Sequence, residues 1–203
     1  RNLFLAGLWM TLQLMAGCIV GSLILGCLGA LVAEGMPWLC GLVRLSAAIG
    51  RMTPPLLLIY LIFFGVGHIV VTRYGWTFDG SMIAVLCLSL YTGCAIVYTL
   101  LEACALLRNQ EPGFALGWRG LPRALRLAYT PVIAALINVV KATGMASAIA
   151  VPELISASTA IVAEQGNAAV MMNVLMIAYF LLVMGVVRLF NCLERWMLQH
   201  DAR

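Results

Sequence analysis

The sequence predicts an all-α membrane protein that crosses the bilayer about five times, and three observations carry that expectation. Of its 203 residues, 64% are hydrophobic and 10% charged, with a mean hydropathy of +1.04; soluble domains run at roughly 45–50% apolar and about 25% charged. The apolar residues fall in continuous runs of about 20, the length a helix needs to span about 30 Å of hydrocarbon, and not in the alternating segments of about ten that a barrel would show. The surplus of Lys and Arg, a formal net charge of +4, gathers near the ends of those runs. In a membrane chain such a surplus marks the cytoplasmic segments and does not imply a nucleic-acid partner.

The first run covers residues 3–32. It is too long for a cleaved signal peptide, its basic start is limited to Arg1, and no A-x-A site precedes a soluble stretch, so a span is expected. Gly17, Gly21, Gly26 and Gly29, with Cys18, Ser22 and Cys27, form a small-residue stripe that lets a second helix approach closely. Between residues 34 and 51, Gly35, Pro37 and Gly41 are expected to interrupt helix, and Trp38, Arg44 and Arg51 suit an interfacial segment. The second run, 52–71, opens on Arg51-Met52-Thr53-Pro54-Pro55. Proline is cheap there because first-turn N–H groups have no intrahelical partner. His68 near the far end is open to a lining role, a pH-sensing role or a plain packing one.

A short connection with Trp76 and Asp79 leads to the third run, 81–107. Tyr91 and Thr92 lie mid-span, as helix-to-helix hydrogen bonders or as a substrate wall; Glu102 is placed at the water interface. A basic connection, 108–126, precedes the fourth run, 127–151. At about 100° per residue Asn138, Lys141 and Met145 share one face, with Thr143 and Ser147 about half a turn away. A cation in hydrocarbon costs at least about 2.5 kcal/mol, so Lys141 must meet protein, water or a counter-ion. Lys141 and Asn138 are therefore expected to face a pathway or a structural acid, and Thr143 and Ser147 the packed bundle. Pro152-Glu153 ends this run and residues 156–167 read as a polar connection. The fifth run, 168–187, is rich in methionine (Met171, Met172, Met176, Met184), expected as adaptable core packing. Arg188, Glu194, Arg195 and His200 follow in an amphipathic tail. Cys18, Cys27, Cys40, Cys87, Cys94, Cys104 and Cys192 lie mostly inside apolar runs without a C-x-x-C pair, and read as packing residues.

With five spans the two ends lie on opposite sides. If the amino end is outside, the inner segments hold Arg44, Arg51, Arg108, Arg119, Arg123, Arg126, Arg188, Arg195 and Arg203, against Arg1 and Arg73 outside. The positive-inside rule then gives N-out, C-in.

Five stretches also resemble a known pattern. GLWMTLQL (7–14) is similar to G-x-x-x-T-L-x-L, and Arg51-Met52-Thr53-Pro54 to R-G-T-P with methionine for glycine. IAVLCLSLYTGCA (83–95) resembles AVLALSLNSGAY, with Tyr91-Thr92 for Asn-Ser. LPRALR (121–126) resembles LPQALR, and KATGMASAIAVPEL (141–154) resembles KDTSLVSVIGVPEL. In this order they resemble the membrane subunits of polar-amino-acid and opine-type ABC importers, whose permease fold is of type I. The resemblance implies a permease subunit in the inner membrane of a bacterial cell, forming half of a translocation pathway. Tyr91, Asn138, Lys141, Met145 and Glu153 are its pathway candidates. No catalytic residue, metal or cofactor is implied in this chain, which shows no Walker A pattern. ATP and Mg would sit on a partner ATPase dimer, beside a second permease copy or paralogue and an extracytoplasmic substrate-binding protein.

Two departures matter. Ala142 and Gly144 stand where the pattern has aspartate and serine, which removes a carboxylate and a hydroxyl. The connection 108–126 carries RNQEPGFALG where the family has a coupling helix with an E-A-A…G pattern, and is about ten residues short, roughly three helical turns or about 15 Å. Arg108, Glu111, Ala115, Leu116, Gly117 and Arg119 are the residues left to meet an ATPase, with 115–117 as the remnant of a coupling helix. The shortening motivates a second reading, a structural or regulatory partner that lost coupling. An ion-coupled carrier is a third, and the internal repeats usual in such carriers are not evident.

Overall fold

The computed structural model describes residues 2–77 and 79–201, with side chains described as far as Arg195. Arg1 and Arg203, counted above for orientation, and the side chain of His200 lie outside the described residues. Five helices are long and apolar enough to cross a membrane: Asn2–Gly35, Pro55–Tyr74, Gly80–Gln110, Tyr129–Ile149 and Ala168–Arg195. Each starts within about three residues of the run predicted for it, because the thickness of hydrocarbon sets the length of an apolar run directly. No strand occurs among the described residues. The chain forms two compact units, one of residues 12–151 and one of the described residues of 1–11 and 152–203.

The long helix α1 (Asn2–Gly35), which belongs to the larger unit from Leu12 onward, gives way to α2 (Pro37–Met52) across the single residue Met36. This corrects the expected break. Gly35 closes α1, Pro37 opens α2 where its missing N–H costs nothing, and Gly41 is accommodated inside α2. One face of α2 packs: Ala47 joins Ala33, Val97 and Leu101, flanked by Cys40, Val43 and Cys94. Trp38, Leu42, Leu45, Ile49 and Met52 remain exposed along the opposite face, the distribution of a helix lying at a membrane surface. The second span is α3 (Pro55–Tyr60), a π-helical turn (Leu61–Val66) and α4 (Gly67–Tyr74), closed by Gly75 in the left-handed region at φ +68°.

Helix α5 (Gly80–Gln110) is the hub. Asp79 caps it, accepting from the Ser81 amide at 3.5 Å and from the Ser81 hydroxyl. Over half of its most apolar window, 56%, is buried. The predicted small-residue stripe of α1 meets it. A Cβ added at Gly29 would stand 2.6 Å from Val97 Cγ2, and Gly21 and Gly26 face Ser89 and Ile96 as tightly, so the absence of side chains is what lets the two backbones approach. After the short helix α6 (Leu121–Leu127), helix α7 (Tyr129–Ala142) tightens into a 3₁₀ segment, Thr143–Ile149. That segment ends on Ala150, a non-glycine residue at φ +59°.

In the smaller unit, α8 (Leu154–Gln165) replaces the polar connection expected at 156–167. Its hydroxyls have the sequence pattern of a loop but are satisfied inside the helix. Ser158 Oγ donates to the Leu154 carbonyl at 2.7 Å and Thr159 Oγ1 to that of Ser156 at 2.9 Å. Gly166, at φ +68°, turns the chain into α9 (Ala168–Asp201). The methionines of α9 do not pack a core: Met172, Met176 and Met184 are exposed, and none of the most apolar window of α9 is buried. A lipid-facing helix surface needs only to be apolar, and Met, Val, Leu and Phe serve there equally.

Candidate functional site

The larger unit holds a cleft of about 290 Å³ lined by Arg51, Tyr91, Thr92, Ala95, Thr99, Pro131, Ala134, Ala135 and Asn138. Its walls follow from helix geometry. Pro131, Ala134, Ala135 and Asn138 fall at i, i+3, i+4 and i+7 on α7, one face of small residues that leaves room. Tyr91, Thr92, Ala95 and Thr99 supply the facing wall from α5, and Arg51 enters from the last turn of α2. The Arg51 guanidinium carbon lies 4.1 Å from the centroid of the Tyr98 ring, a cation–π contact that holds the charge in place. Thr99 Oγ1 donates to the Ala95 carbonyl at 2.9 Å. Thr92, only 1% exposed, does not follow that pattern: its hydroxyl has no hydrogen-bond partner among the described residues.

Of the sequence candidates, the cleft brings together Tyr91 and Asn138. Lys141 lies one turn beyond Asn138 on the same face of α7, exposed, and no ion pair or hydrogen bond ties it to another described residue. Met145 is exposed too, while Thr143 is fully buried with its hydroxyl donating to the Val140 carbonyl at 2.8 Å. The step to 3₁₀ geometry at Thr143, about 120° per residue, changes the angles counted from a uniform α-helix beyond that point. Ser147 is consequently half-buried, donating to the Gly144 carbonyl at 2.8 Å. Thr92, open in the sequence to a hydrogen-bonding role or a substrate wall, lines the cleft beside Tyr91, whereas Arg51 and Thr99 are cleft residues that the sequence did not mark as such. Arg51 stood out only as part of R-x-T-P, and its position against α5 depends on how α2 packs.

Glu153, the remaining pathway candidate, has surroundings unlike those expected. It lies in the smaller unit, 0% exposed, as the N-cap of α8. Oε1 accepts from the Ile155 and Ser156 amides at 2.9 and 3.1 Å, and Oε2 accepts from the Tyr179 hydroxyl at 2.8 Å. The single proton of the Thr11 hydroxyl lies between two acceptors, the Gly7 carbonyl at 3.0 Å and Glu153 Oε2 at 3.4 Å, while its oxygen accepts from the Leu154 amide at 3.0 Å. A Cβ at Gly7 would stand 2.6 Å from Ala157 Cβ. The G-x-x-x-T and V-P-E-L stretches thus form one knot that caps a helix. Its geometry is structural, and its carboxyl oxygens offer nothing to a passing solute.

His68 lines a second cleft of about 320 Å³ with Phe63, Phe64, Gly67, Val71, Thr77 and Ile83, beside the π-helical turn. Its walls are largely apolar and no charged group enters, so it lacks the convergent polar set of the first. No group of three His, Cys, Asp or Glu side chains arranged for a metal ion occurs among the described residues.

No protein-family model and no curated protein matches this sequence. A solved structure does match in shape: a chain of the crystal structure of an amino acid ABC transporter with histidines superposes with TM-score 0.78 at 16% identity, covering 96% of this chain and 94% of that one. The fold is that of an amino acid ABC transporter chain. At such low identity the likeness fixes the path of the backbone and leaves the side chains to be judged on their own geometry.

The connection 108–120 is held by charged side chains. Arg108 pairs with Glu34 and its Nε donates to the Phe114 carbonyl at 3.4 Å. Glu111 receives both terminal nitrogens of Arg123, at 2.6 and 2.9 Å. The Arg123 hydrogen bonds and charge hold the Glu111 carboxyl below its ordinary range, and Glu111 pushes the guanidinium up in turn. The expected remnant helix at 115–117 is absent: Ala115 and Leu116 lie in irregular chain and Gly117 in a bend. Pro112, Gly113 at φ +110° and the glycines at 117 and 120 leave too few consecutive residues to nucleate a helix. Leu116 is buried, while Ala115, Trp118 and Arg119 are exposed. The short loop is therefore a strapped turn ahead of α6, with two ion pairs in place of helix.

Proposed function

We propose that the chain is a permease subunit of an ATP-driven, binding-protein-dependent importer of polar amino acids or opine-like solutes. It is a multi-pass protein of the bacterial inner membrane, oriented N-out and C-in, and forms half of a translocation pathway. The observation that carries this reading is the fold shared with an amino acid ABC transporter chain over nearly the whole length of both chains. The cleft adds to it, since Tyr91, Thr92, Thr99, Asn138 and Arg51 place convergent polar groups between membrane-length helices, where such groups are expensive unless they meet a solute, water or another chain. Lys141 and Met145 extend the cleft face, which a second copy or a paralogue completes. A partner ATPase dimer, carrying ATP and Mg, meets the strapped loop around Arg108, Glu111, Ala115, Leu116, Gly117 and Arg119, and an extracytoplasmic binding protein delivers substrate. The chain itself performs no covalent chemistry: closure of the ATPases moves the permease pair between outward-open and inward-open forms.

The reading is tested by uptake of radiolabelled amino acids in cells that carry the chain with its partners. Lys141→Ala should lower uptake and substrate-stimulated ATP hydrolysis while the complex still assembles. Unchanged uptake by that variant removes Lys141 from the pathway. Uptake that survives an inactive ATPase but collapses with the proton gradient removes the ABC reading in favour of an ion-coupled carrier. The strapped loop supports one further alternative, a structural partner without coupling. An ATPase that co-purifies with a paralogue yet makes no crosslink to residues 108–126 would establish it.

A further inference from the structure

Resting on the permease reading, we infer that the cleft between α2, α5 and α7 selects substrates bearing a net negative charge, an acidic amino acid or carboxylate-rich solute, with Arg51 as the group that takes the carboxylate. The cleft lining contains one charged side chain, Arg51, and no acid. The next charge along the α7 face is Lys141, one turn past Asn138 and unpaired among the described residues. The nearest acid on the facing element is Glu102, one turn beyond Thr99 on α5. It is exposed and neither lines the cleft nor forms an ion pair with Arg51.

The neutral groups lean the same way. Thr92 has an unengaged hydroxyl that is almost fully buried; Asn138 and Tyr91 each add an N–H or O–H donor. Thr99 has spent its proton on the Ala95 carbonyl. The lining is therefore rich in donors, as a carboxylate needs, and offers no carboxylate to an ammonium or guanidinium side chain. Arg51 is fit for the task because its guanidinium is held 4.1 Å from the Tyr98 ring centroid while no hydrogen bond or ion pair to another described residue occupies its N–H groups, which suit a two-point bond to a carboxylate. The volume of about 290 Å³ admits a single small solute.

The test titrates the chain assembled with its partner permease and ATPase, in nanodiscs of zwitterionic phosphatidylcholine that supply no net anionic headgroup, with L-glutamate, L-glutamine and L-arginine in competition with radiolabelled glutamate. Glutamate and glutamine differ by a carboxylate for an amide of the same size. Glutamate should bind at least tenfold tighter than glutamine, with arginine weaker still. Arg51→Gln should bring glutamate and glutamine to within about twofold, Arg51→Lys should keep part of the preference, and Thr92→Val should weaken glutamate several-fold. The last variant keeps the Arg51–Tyr98 contact, so it reads the cleft even where Arg51→Gln disturbs folding. Equal binding of glutamate and glutamine, or tighter binding of arginine, overturns the inference and leaves the permease reading to the uptake experiment. A folded, monodisperse complex that binds none of the three overturns the cleft as a substrate site.

Discussion

Two threonines show how differently this molecule treats buried polar groups. Thr11 and Thr92 are 0% and 1% exposed, and both sit inside long apolar helices. The Thr11 hydroxyl accepts from the Leu154 amide and donates to an acceptor at 3.0 Å, within a knot that engages both oxygens of Glu153. The Thr92 hydroxyl has no partner among the described residues and lies on the wall of a cleft. A buried hydroxyl that is fully bonded contributes to the fold, whereas one left open costs about 1–3 kcal/mol and is tolerated where something else is to fill it. Ser22 and Ser89 are likewise buried without a partner among the described residues, but they do not line the cleft, so it is the position of Thr92 on the cleft wall, and not the open hydroxyl alone, that sets it apart from Thr11.

Glu153→Ala should have the largest effect. It leaves the Ile155 and Ser156 amides and the Tyr179 hydroxyl without their acceptor, and at about 1–3 kcal/mol for each stranded group the loss should reach roughly 3 kcal/mol or more. Denaturant unfolding in mixed micelles measures it. Glu153→Gln, which keeps an acceptor oxygen, should lose clearly less. An alanine variant as stable as the parent would show that the knot does not hold the fold, and would return Glu153 to the pathway.

The same substitution at the two threonines should then act with opposite sign. Thr11→Val removes a hydroxyl that both donates and accepts, and should cost about 1–3 kcal/mol. Thr92→Val replaces an unpartnered hydroxyl with a methyl of nearly the same size and should be neutral or stabilising by up to about 1 kcal/mol. Unfolding curves of the two purified variants against the parent decide it. A destabilised Thr92→Val would mean that the hydroxyl is bonded in the folded chain, and the distinction drawn between the two sites would fail there.

That distinction also marks what could be read from the sequence. The five spans were legible because the bilayer imposes one length on every apolar run, and Tyr91, Asn138 and Lys141 were visible as polar residues interrupting such runs. The small-residue stripe of α1 was legible for the same kind of reason, a fixed spacing on one helix. The Thr11–Glu153 knot was not, because it joins residues 142 positions apart and neither end carries a local mark of the other. Helix α8 was missed because hydroxyls that bond their own backbone look, in sequence, like those of a loop. One signal lay unused. In KDTSLVSVIGVPEL, the pattern that 141–154 resembles, glycine occupies the position of Ala150, and Ala150 has a φ of +59°, the left-handed region where glycine is at ease. Read physically, that glycine would have placed the end of the 3₁₀ segment.

The smallest expected effect lies outside both sites, in the loop that replaces a coupling helix. Glu111 and Arg123 are exposed, so solvent screens their pair and global stability should scarcely register its loss. Local order is the more sensitive reading. Because Arg123 holds the Glu111 carboxyl below its ordinary value of 4.5, the folded loop gains from the pair at any pH above that value. The gain is lost as pH falls through the lowered one, while Arg123 stays charged throughout. Glu111→Gln should therefore speed amide hydrogen exchange over residues 111–120 at pH 7, after correction for intrinsic rates. The gap from the parent should close in acid below the lowered value and shrink at high salt. A gap that persists in acid would show that hydrogen bonding by the neutral side chain, and not the ion pair, orders the turn. The loop would then owe its shape to Pro112 and its glycines alone.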